Sequence, residues 1–79
     1  MVRNINWIKV ESSNIDFVSY KEQEEKLFVK FKSRKKEEYY SYSGVDVLVF
    51  GEFMIAPSKG KFLIAEINGK YDFEKTEAE

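Results

Sequence analysis

Apolar and polar positions alternate along the first half of the chain in segments of strand length. Residues 15–20 are a β-branched and aromatic run of strand length. Residues 27–32 alternate, with Leu27, Val29 and Phe31 on one face, and residues 38–43 place Tyr40 and Tyr42 on one face. The connections between them are too short for parallel crossovers, so they predict an antiparallel meander of about three main strands. A weaker alternation in residues 6–10 indicates an edge strand or a docked arm.

The period of the pattern changes in the second half, where helices are predicted. Residues 45–56 form an apolar run in which Asp46 is a good N-cap, and Pro57 ends the helix because it lacks a backbone donor. Ser58 can cap a second, shorter helix over residues 59–68. The predicted fold class is therefore α+β, an antiparallel β-meander of about three main strands followed by two short helices.

The first predicted helix is apolar almost all round, with only one charged residue in the ring. Val49 and Phe53 are assigned to the side far from the sheet, and a small domain cannot cover such a helix with its own sheet alone. Two interpretations stay open. Either the 46–56 helix self-associates or binds a host protein through these residues, or the N-terminal arm folds over them with Trp7 and Ile8.

Size and composition exclude several classes of protein. The 79 residues make one domain, 1–79, with an N-terminal arm at 1–9 and a flexible acidic tail at 74–79. Without Cys or His there is no disulfide, thiolate nucleophile or Cys/His zinc site. No close carboxylate pair lies on an apolar face, so we expect no enzyme, metal or cofactor. No apolar run of membrane-spanning length and no signal-peptide core are present, so we expect no membrane contact and a cytoplasmic location.

The net charge of −1 hides a local basic run. Such a run can follow a nucleic-acid backbone, or it can be a solvated hairpin diluted by the acidic residues that follow it. The candidate backbone-binding residues are Lys30, Lys32, Arg34, Lys35 and Lys36.

Two further segments are candidate ligand-binding sites. Tyr40 and Tyr42 share one strand face, where they either stack on bases or pack beneath the helices. The start of the second helix offers unpaired N–H groups, a hydroxyl and two lysines to a phosphate or carboxylate, unless it is only a solvated helix start. Its residues are Ser58, Lys59, Gly60 and Lys61.

The order of these features resembles the KTSC domain family, which occurs at the C-terminus of some lysyl-tRNA synthetases and as a stand-alone small protein in bacteria and phages. The matching residues are Ser12-Ser13-Asn14-Ile15, Tyr20, Tyr40-Ser41-Tyr42 with Val45, then Ala56, Ser58, Gly60, Lys61 and Phe62, and finally Ile67, Gly69, Lys70 and Tyr71. Asp46 stands where the family usually has Pro. Leu63 and Asn68 replace polar Asn and Arg often seen in the second helix, which would weaken a site that needs those groups.

The resemblance implies the α+β fold predicted above and suggests RNA binding. The leading hypothesis is a non-catalytic binding module for nucleic acid, most simply RNA, or for a phosphorylated nucleotide. The alternative is a small self-associating, phage-encoded interaction or inhibitor protein. Such a protein would bind a host protein or sequester a small signalling molecule.

Overall fold

A computed structural model describes residues 6–32 and 38–76. Five strands form one antiparallel sheet in chain order, which confirms the α+β meander but corrects the predicted number of about three strands. The strands are β1 (Ile8–Lys9), β2 (Ile15–Lys21), β3 (Lys26–Phe31), β4 (Tyr39–Ser43) and β5 (Phe73–Thr76).

The two strands beyond the predicted three lie at the edges of the sheet. β1 pairs with β2, so the weakly alternating N-terminal segment forms an edge strand. β5 pairs with β4 and includes residues 74–76, which were predicted to belong to the flexible tail. The ring of Phe73 packs 6.0 Å from that of Tyr42, which anchors β5 on the sheet. Residues 77–79 of the predicted tail lie outside the described residues.

The helices begin where the sequence predicts. In α1 (Val47–Ile55) the Asp46 carboxylate accepts a hydrogen bond of 3.0 Å from the backbone N–H of Val49. In α2 (Lys59–Phe62) the Ser58 hydroxyl caps the first turn. The second helix does not stay α-helical to its end, because it continues as a π-helical segment, Leu63–Ile67. Among the described residues no helix is long and apolar enough to cross a membrane.

One face of the sheet, called here the helix-covered face, carries the hydrophobic core. All the helices that the structure describes contribute to the core on this side, and Phe53 of α1 is its largest fully buried side chain. The other face is called the open face. The buried core residues are Val10, Ile15, Val18, Leu27, Val29, Tyr42, Val45, Phe53, Leu63 and Ile67.

The orientation of α1 differs from the prediction. Phe53 has 0% of its surface exposed and is not available for self-association, and Val49 is half-buried against the core. The side that faces solvent instead carries Val47, Leu48 and Ile55. A helix that is apolar all round gives no sequence signal for its inner face, because burial of either side satisfies the pattern.

The described part of the N-terminal arm, residues 6–9, runs along the edge of the sheet. Ile8 lies in β1 opposite Val18, and the neighbouring Trp7 packs against Tyr39 in the sheet. Strand alternation puts Trp7 on the open face, because Val18 belongs to the core on the helix-covered face. Trp7 therefore does not fold over α1, and residues 1–5 of the arm lie outside the described residues.

A buried tyrosine is expected to make the stability fall at alkaline pH. Burial raises the pKa of Tyr42 above the usual 10.0, and the neighbouring Tyr40 raises it further. Above the usual pKa the unfolded chain loses this proton while the folded chain keeps it, so folding stability decreases as the pH rises. Urea unfolding at about pH 8 and about pH 11 should show a smaller loss for Tyr42→Phe than for the wild type. Equal losses in the two proteins would contradict this assignment.

The loop before β2 packs directly on α2. A Cβ atom at Gly60 would overlap with Asn14 Oδ1 and would lie 3.2 Å from Asn14 Nδ2. Asn14 is itself held by the Ser12 hydroxyl, which donates to Asn14 Oδ1 over 3.3 Å. Gly60 is therefore required by the close approach of this loop.

This contact predicts a change of sign in a double-mutant cycle. Gly60→Ala should lower the free energy of unfolding by about 1 kcal/mol, since Asn14 has to move. In an Asn14→Ala background the same substitution should raise it by about 0.5–1 kcal/mol, because alanine has the higher helix propensity. Denaturant unfolding of the four proteins gives the coupling energy, and additive effects would show that the contact does not constrain position 60.

Candidate functional site

The open face carries aromatic side chains from four successive parts of the sheet. Phe17 in β2 lies opposite Lys30 in β3, and Phe28 lies opposite Ser41 in β4. All four alternate with core residues along their strands, so their side chains point away from the core. Trp7, next to β1, and Tyr39, in β4, complete the set. No described helix covers this face of the sheet. Soluble domains rarely leave so many aromatic rings on such a face.

Three of these rings form one cluster. The ring centroids of Trp7 and Tyr39 lie 5.5 Å apart in an edge-on arrangement, and those of Phe28 and Tyr39 lie 5.9 Å apart. Phe28 is buried at the base of the cluster, whereas Trp7 and Tyr39 are half-buried. The two upper rings therefore rest on a rigid base and keep part of their surface accessible.

Two lysines lie over the aromatic rings. Lys30 Nζ is 4.7 Å from the ring centroid of Trp7, and Lys9 Nζ is 5.3 Å from that of Phe17. Such cation–π contacts contribute about 0.5–1 kcal/mol at exposed sites. Lys9 also forms an ion pair of 2.6 Å with Asp16. Each lysine head is therefore held next to a ring.

The positive charge continues along the same face. Lys21 of β2 lies opposite Lys26 of β3, and both share the parity of Phe17 and Phe28. Like charges directly opposite each other destabilise a strand pair. On β5, Glu74 lies opposite Ser41 and is an acidic residue on this face. The open face thus combines half-buried rings with lysines from three strands.

Tyr42 and Tyr40, proposed from the sequence as base-stacking residues, point to the other face. Tyr42 is 3% exposed and belongs to the core, so its ring cannot stack on a ligand without opening the fold. Tyr40 is half-buried at the margin of the core, where its ring packs 5.4 Å from Phe31 and 5.8 Å from Phe73. Tyr42 therefore packs in the core, whereas Tyr40 packs against other rings of the sheet and keeps part of its surface exposed.

The predicted anion site at the start of α2 is largely occupied by the protein itself. The Ser58 hydroxyl accepts a hydrogen bond of 3.4 Å from the backbone N–H of Lys61. Gly60 is buried against Asn14, so its backbone is not open to a ligand as the sequence suggested. Lys59 is half-buried and Lys61 is exposed. The segment acts as a helix cap and a packing contact.

The basic run divides between the described and undescribed parts of the chain. Lys30 lies on the open face over Trp7, and Lys32 is exposed just after β3. Lys32 donates its backbone N–H to the carbonyl of Asn14. Arg34, Lys35 and Lys36 lie outside the described residues. The described residues contain no group of three or more side chains suited to a metal ion.

The aromatic residues of the open face were not among the predicted site residues, although the sequence contains a signal for them. In the strand over 27–32, Phe28 and Lys30 alternate with the core residues and so lie on the opposite face. Tyr39 likewise lies on the face opposite to that of Tyr40. An aromatic and a cation on the solvent side of one strand indicate a surface with more than a solubilising role. Their proximity to Trp7 required the strand order, because 32 positions in the chain separate Trp7 from Tyr39.

Comparisons with known proteins agree on one family. A family model described as the KTSC domain matches residues 11–71. The crystal structure of a KTSC domain protein from Yersinia pestis matches with a TM-score of 0.85 and 30% sequence identity, covering 94% of this chain and 100% of that chain. The comparison with curated proteins gives no match.

Proposed function

The chain belongs to the KTSC domain family, and on that premise we propose that it binds single-stranded nucleic acid on the open face of its sheet. The observation that carries the proposal is the pairing of Lys30 with the ring of Trp7 at 4.7 Å. A stacking surface and a phosphate-binding cation then lie side by side. Binding is non-catalytic, because stacking and charge pairing require no reacting group.

The arrangement of layers supports a single strand as the ligand. One common RNA-binding module, a four-stranded sheet, binds two or three unpaired bases by stacking them on aromatic residues of that sheet. Each stacked base contributes about 1–3 kcal/mol. Trp7 and Tyr39 are the accessible rings of the cluster, and Phe17 lies across the sheet beneath Lys9. On the described part of the open face, no helix is positioned to enter a duplex groove.

The lysines supply the sequence-independent part of the affinity. Lys9, Lys21, Lys26 and Lys30 reach the open face from three strands, opposed there by Asp16 and Glu74. Each lysine that neutralises a phosphate of a single strand changes the slope of log K against log salt by about −0.7. With two to four such contacts we expect a total slope of roughly −1.4 to −2.8.

The test uses the single tryptophan of the chain as its own reporter. Trp7 is the only Trp, so a base that stacks on it should quench the intrinsic fluorescence directly. We expect saturable quenching by a single-stranded RNA of roughly 10 nucleotides, weaker quenching by the matching duplex, and a linear loss of affinity with added salt. Tyr39→Ala should weaken binding by about tenfold, which corresponds to one lost stacking contact.

Two results would reject the proposal. Absence of quenching together with absence of complex formation in a filter-binding assay would show that the face does not bind nucleic acid. Complex formation that leaves Trp7 fluorescence unchanged, and that Tyr39→Ala does not weaken, would place binding elsewhere on the protein. Tyr40→Ala is a poor control because Tyr40 packs at the core margin, so Lys61→Ala serves instead.

A further inference from the structure

A cleft of about 350 Å³ lies where the edge of β2 meets α1. This volume is at the lower end of the range of about 300–1,000 Å³ that is typical of small-molecule sites. β1 has only two residues and begins at Ile8, opposite Val18, so no described strand pairs with the edge of β2 along residues 19–21. The walls of the cleft include Asn6, Ile8, Tyr20, Lys21, Glu22 and Phe50.

The aromatic wall of this cleft is built by contacts within the protein. The rings of Tyr20 and Phe50 stack almost parallel, with centroids 4.4 Å apart and an angle of 7° between the planes. The Tyr20 hydroxyl donates to the carbonyl of Val45 over 2.6 Å, which fixes the position of its ring. Ile8, 46% exposed, adds an aliphatic side chain. The cleft therefore has a preformed apolar surface.

The two charged residues of the cleft are held through their backbones, while their charged groups have no partner in the described chain. The Lys21 carbonyl accepts a hydrogen bond of 3.2 Å from the N–H of Glu24, and the Glu22 carbonyl accepts one of 3.1 Å from the N–H of Glu25. Within residues 6–32 and 38–76, neither the Lys21 ammonium group nor the Glu22 carboxylate forms an ion pair or a hydrogen bond. A cation and an anion thus line one cleft without pairing with each other.

The surroundings of Lys21 favour an anionic group at its end of the cleft. Lys21 is half-buried and lies directly opposite Lys26, and like charges in this position destabilise a strand pair. A ligand carboxylate beside Lys21 would relieve this repulsion, whereas a positive group would increase it. Glu22 is the corresponding position for a positive group. The cleft therefore suits a ligand that carries both charges.

We propose that this cleft binds a free α-amino acid with an apolar or aromatic side chain. Such a molecule carries a carboxylate and an ammonium group on one carbon atom at neutral pH, so it supplies partners to Lys21 and Glu22 together. The side-chain amide of Asn6 offers both donors and an acceptor to these groups. The ligand side chain then lies against Ile8 and Phe50.

The charges of the cleft argue against other ligands of similar size. A nucleotide would bring its phosphate close to Glu22, and this like-charge contact is unfavourable. A wholly apolar molecule would remove water from Lys21 and Glu22 without giving either a partner. The inference stands without the proposed nucleic-acid function, although Lys21 also belongs to the open face. Its test therefore contains no nucleic acid.

The first experiment is isothermal titration calorimetry of the wild type with L-phenylalanine as the probe. We expect saturable binding with one molecule per chain. L-phenylalaninamide, which lacks the carboxylate, and N-acetyl-L-phenylalanine, which lacks the ammonium group, should each bind about tenfold more weakly or worse. Absence of saturable binding up to about 10 mM L-phenylalanine would overturn the proposal. Equal affinity for all three compounds would overturn it too, because the cleft would then not recognise the two charges.

Glu22→Gln locates the ammonium group of the ligand. It should weaken L-phenylalanine binding by about tenfold and leave the affinity for N-acetyl-L-phenylalanine unchanged, since that compound has no ammonium group. Glu24→Gln is the matched control, because it makes the same change in charge in the same turn, away from the walls of the cleft. Both residues are exposed, so both variants should keep the thermal midpoint of the wild type. Equal losses in the two variants, or full affinity in Glu22→Gln, would show that the amino acid does not bind in this cleft.

Discussion

Phe53→Ala is expected to lower the free energy of unfolding by about 3–5 kcal/mol. The ring is fully buried and lies 6.0 Å from that of Phe62, so α1 and α2 are joined through it. Its removal leaves a cavity in the hydrophobic core between the described helices and the sheet. Domains of this size have thin stability margins, so a large unfolded fraction is expected at 37 °C.

Ile55→Ala provides the matched comparison two residues away. Ile55 is 82% exposed, so its truncation should change the stability by less than about 0.5 kcal/mol. Urea unfolding followed by circular dichroism measures both variants. If the two substitutions destabilise the protein equally, or if Ile55→Ala is the more damaging, α1 is turned the other way and Phe53 is not its anchor.

Phe53 and Ile55 also show which feature of α1 could not be predicted from the sequence. Both ends of α1 were predictable, because Asp46 and Pro57 act locally through a hydrogen bond and a missing donor. The face of the helix that packs on the sheet was not predictable. Val49 and Phe53 are no more apolar than Leu48 and Ile55, so only packing against the sheet distinguishes the two sides.

Among the strands, too, some could be predicted from the local sequence and others could not. The three central strands were predictable because their alternation is strong, and each is bounded by polar turns. β1 has two residues and β5 has four, too few for a pattern to stand out from the background. Their pairing depends on the unsatisfied edges of β2 and β4, which exist only once the sheet has formed.

The residues that carry the family resemblance act mainly within the fold. The Tyr20 hydroxyl donates to the carbonyl of Val45 over 2.6 Å, which ties β2 to the start of α1. The Ser12 hydroxyl accepts a hydrogen bond of 3.2 Å from the N–H of Ile15, and Gly60 makes room for Asn14. The resemblance thus predicts the fold well. It says less about the open face, since Trp7, Phe17 and Tyr39 are not among the matching residues.

Lys30→Glu is the second substitution for which we expect a large effect, here on nucleic-acid binding. It removes a cation beside the Trp7 ring and puts a carboxylate where a phosphate would lie. We expect affinity for a short single-stranded RNA to fall by 100-fold or more at low salt, about 2.7 kcal/mol. The slope of log K against log salt should become shallower by about 0.7 per lost contact. Fluorescence anisotropy of a labelled RNA measures both quantities.

Lys61→Glu makes the same change in charge at the exposed start of α2, away from the open face. Both variants shift the net charge from −1 to −3, so any general electrostatic effect on RNA is shared. The difference between them isolates the local contribution of Lys30. If Lys61→Glu reduces affinity as strongly as Lys30→Glu, the open face has no special role, and the protein attracts RNA only through its overall charge. A selective loss with Lys30→Glu would instead support base stacking and phosphate pairing on the same face of the sheet.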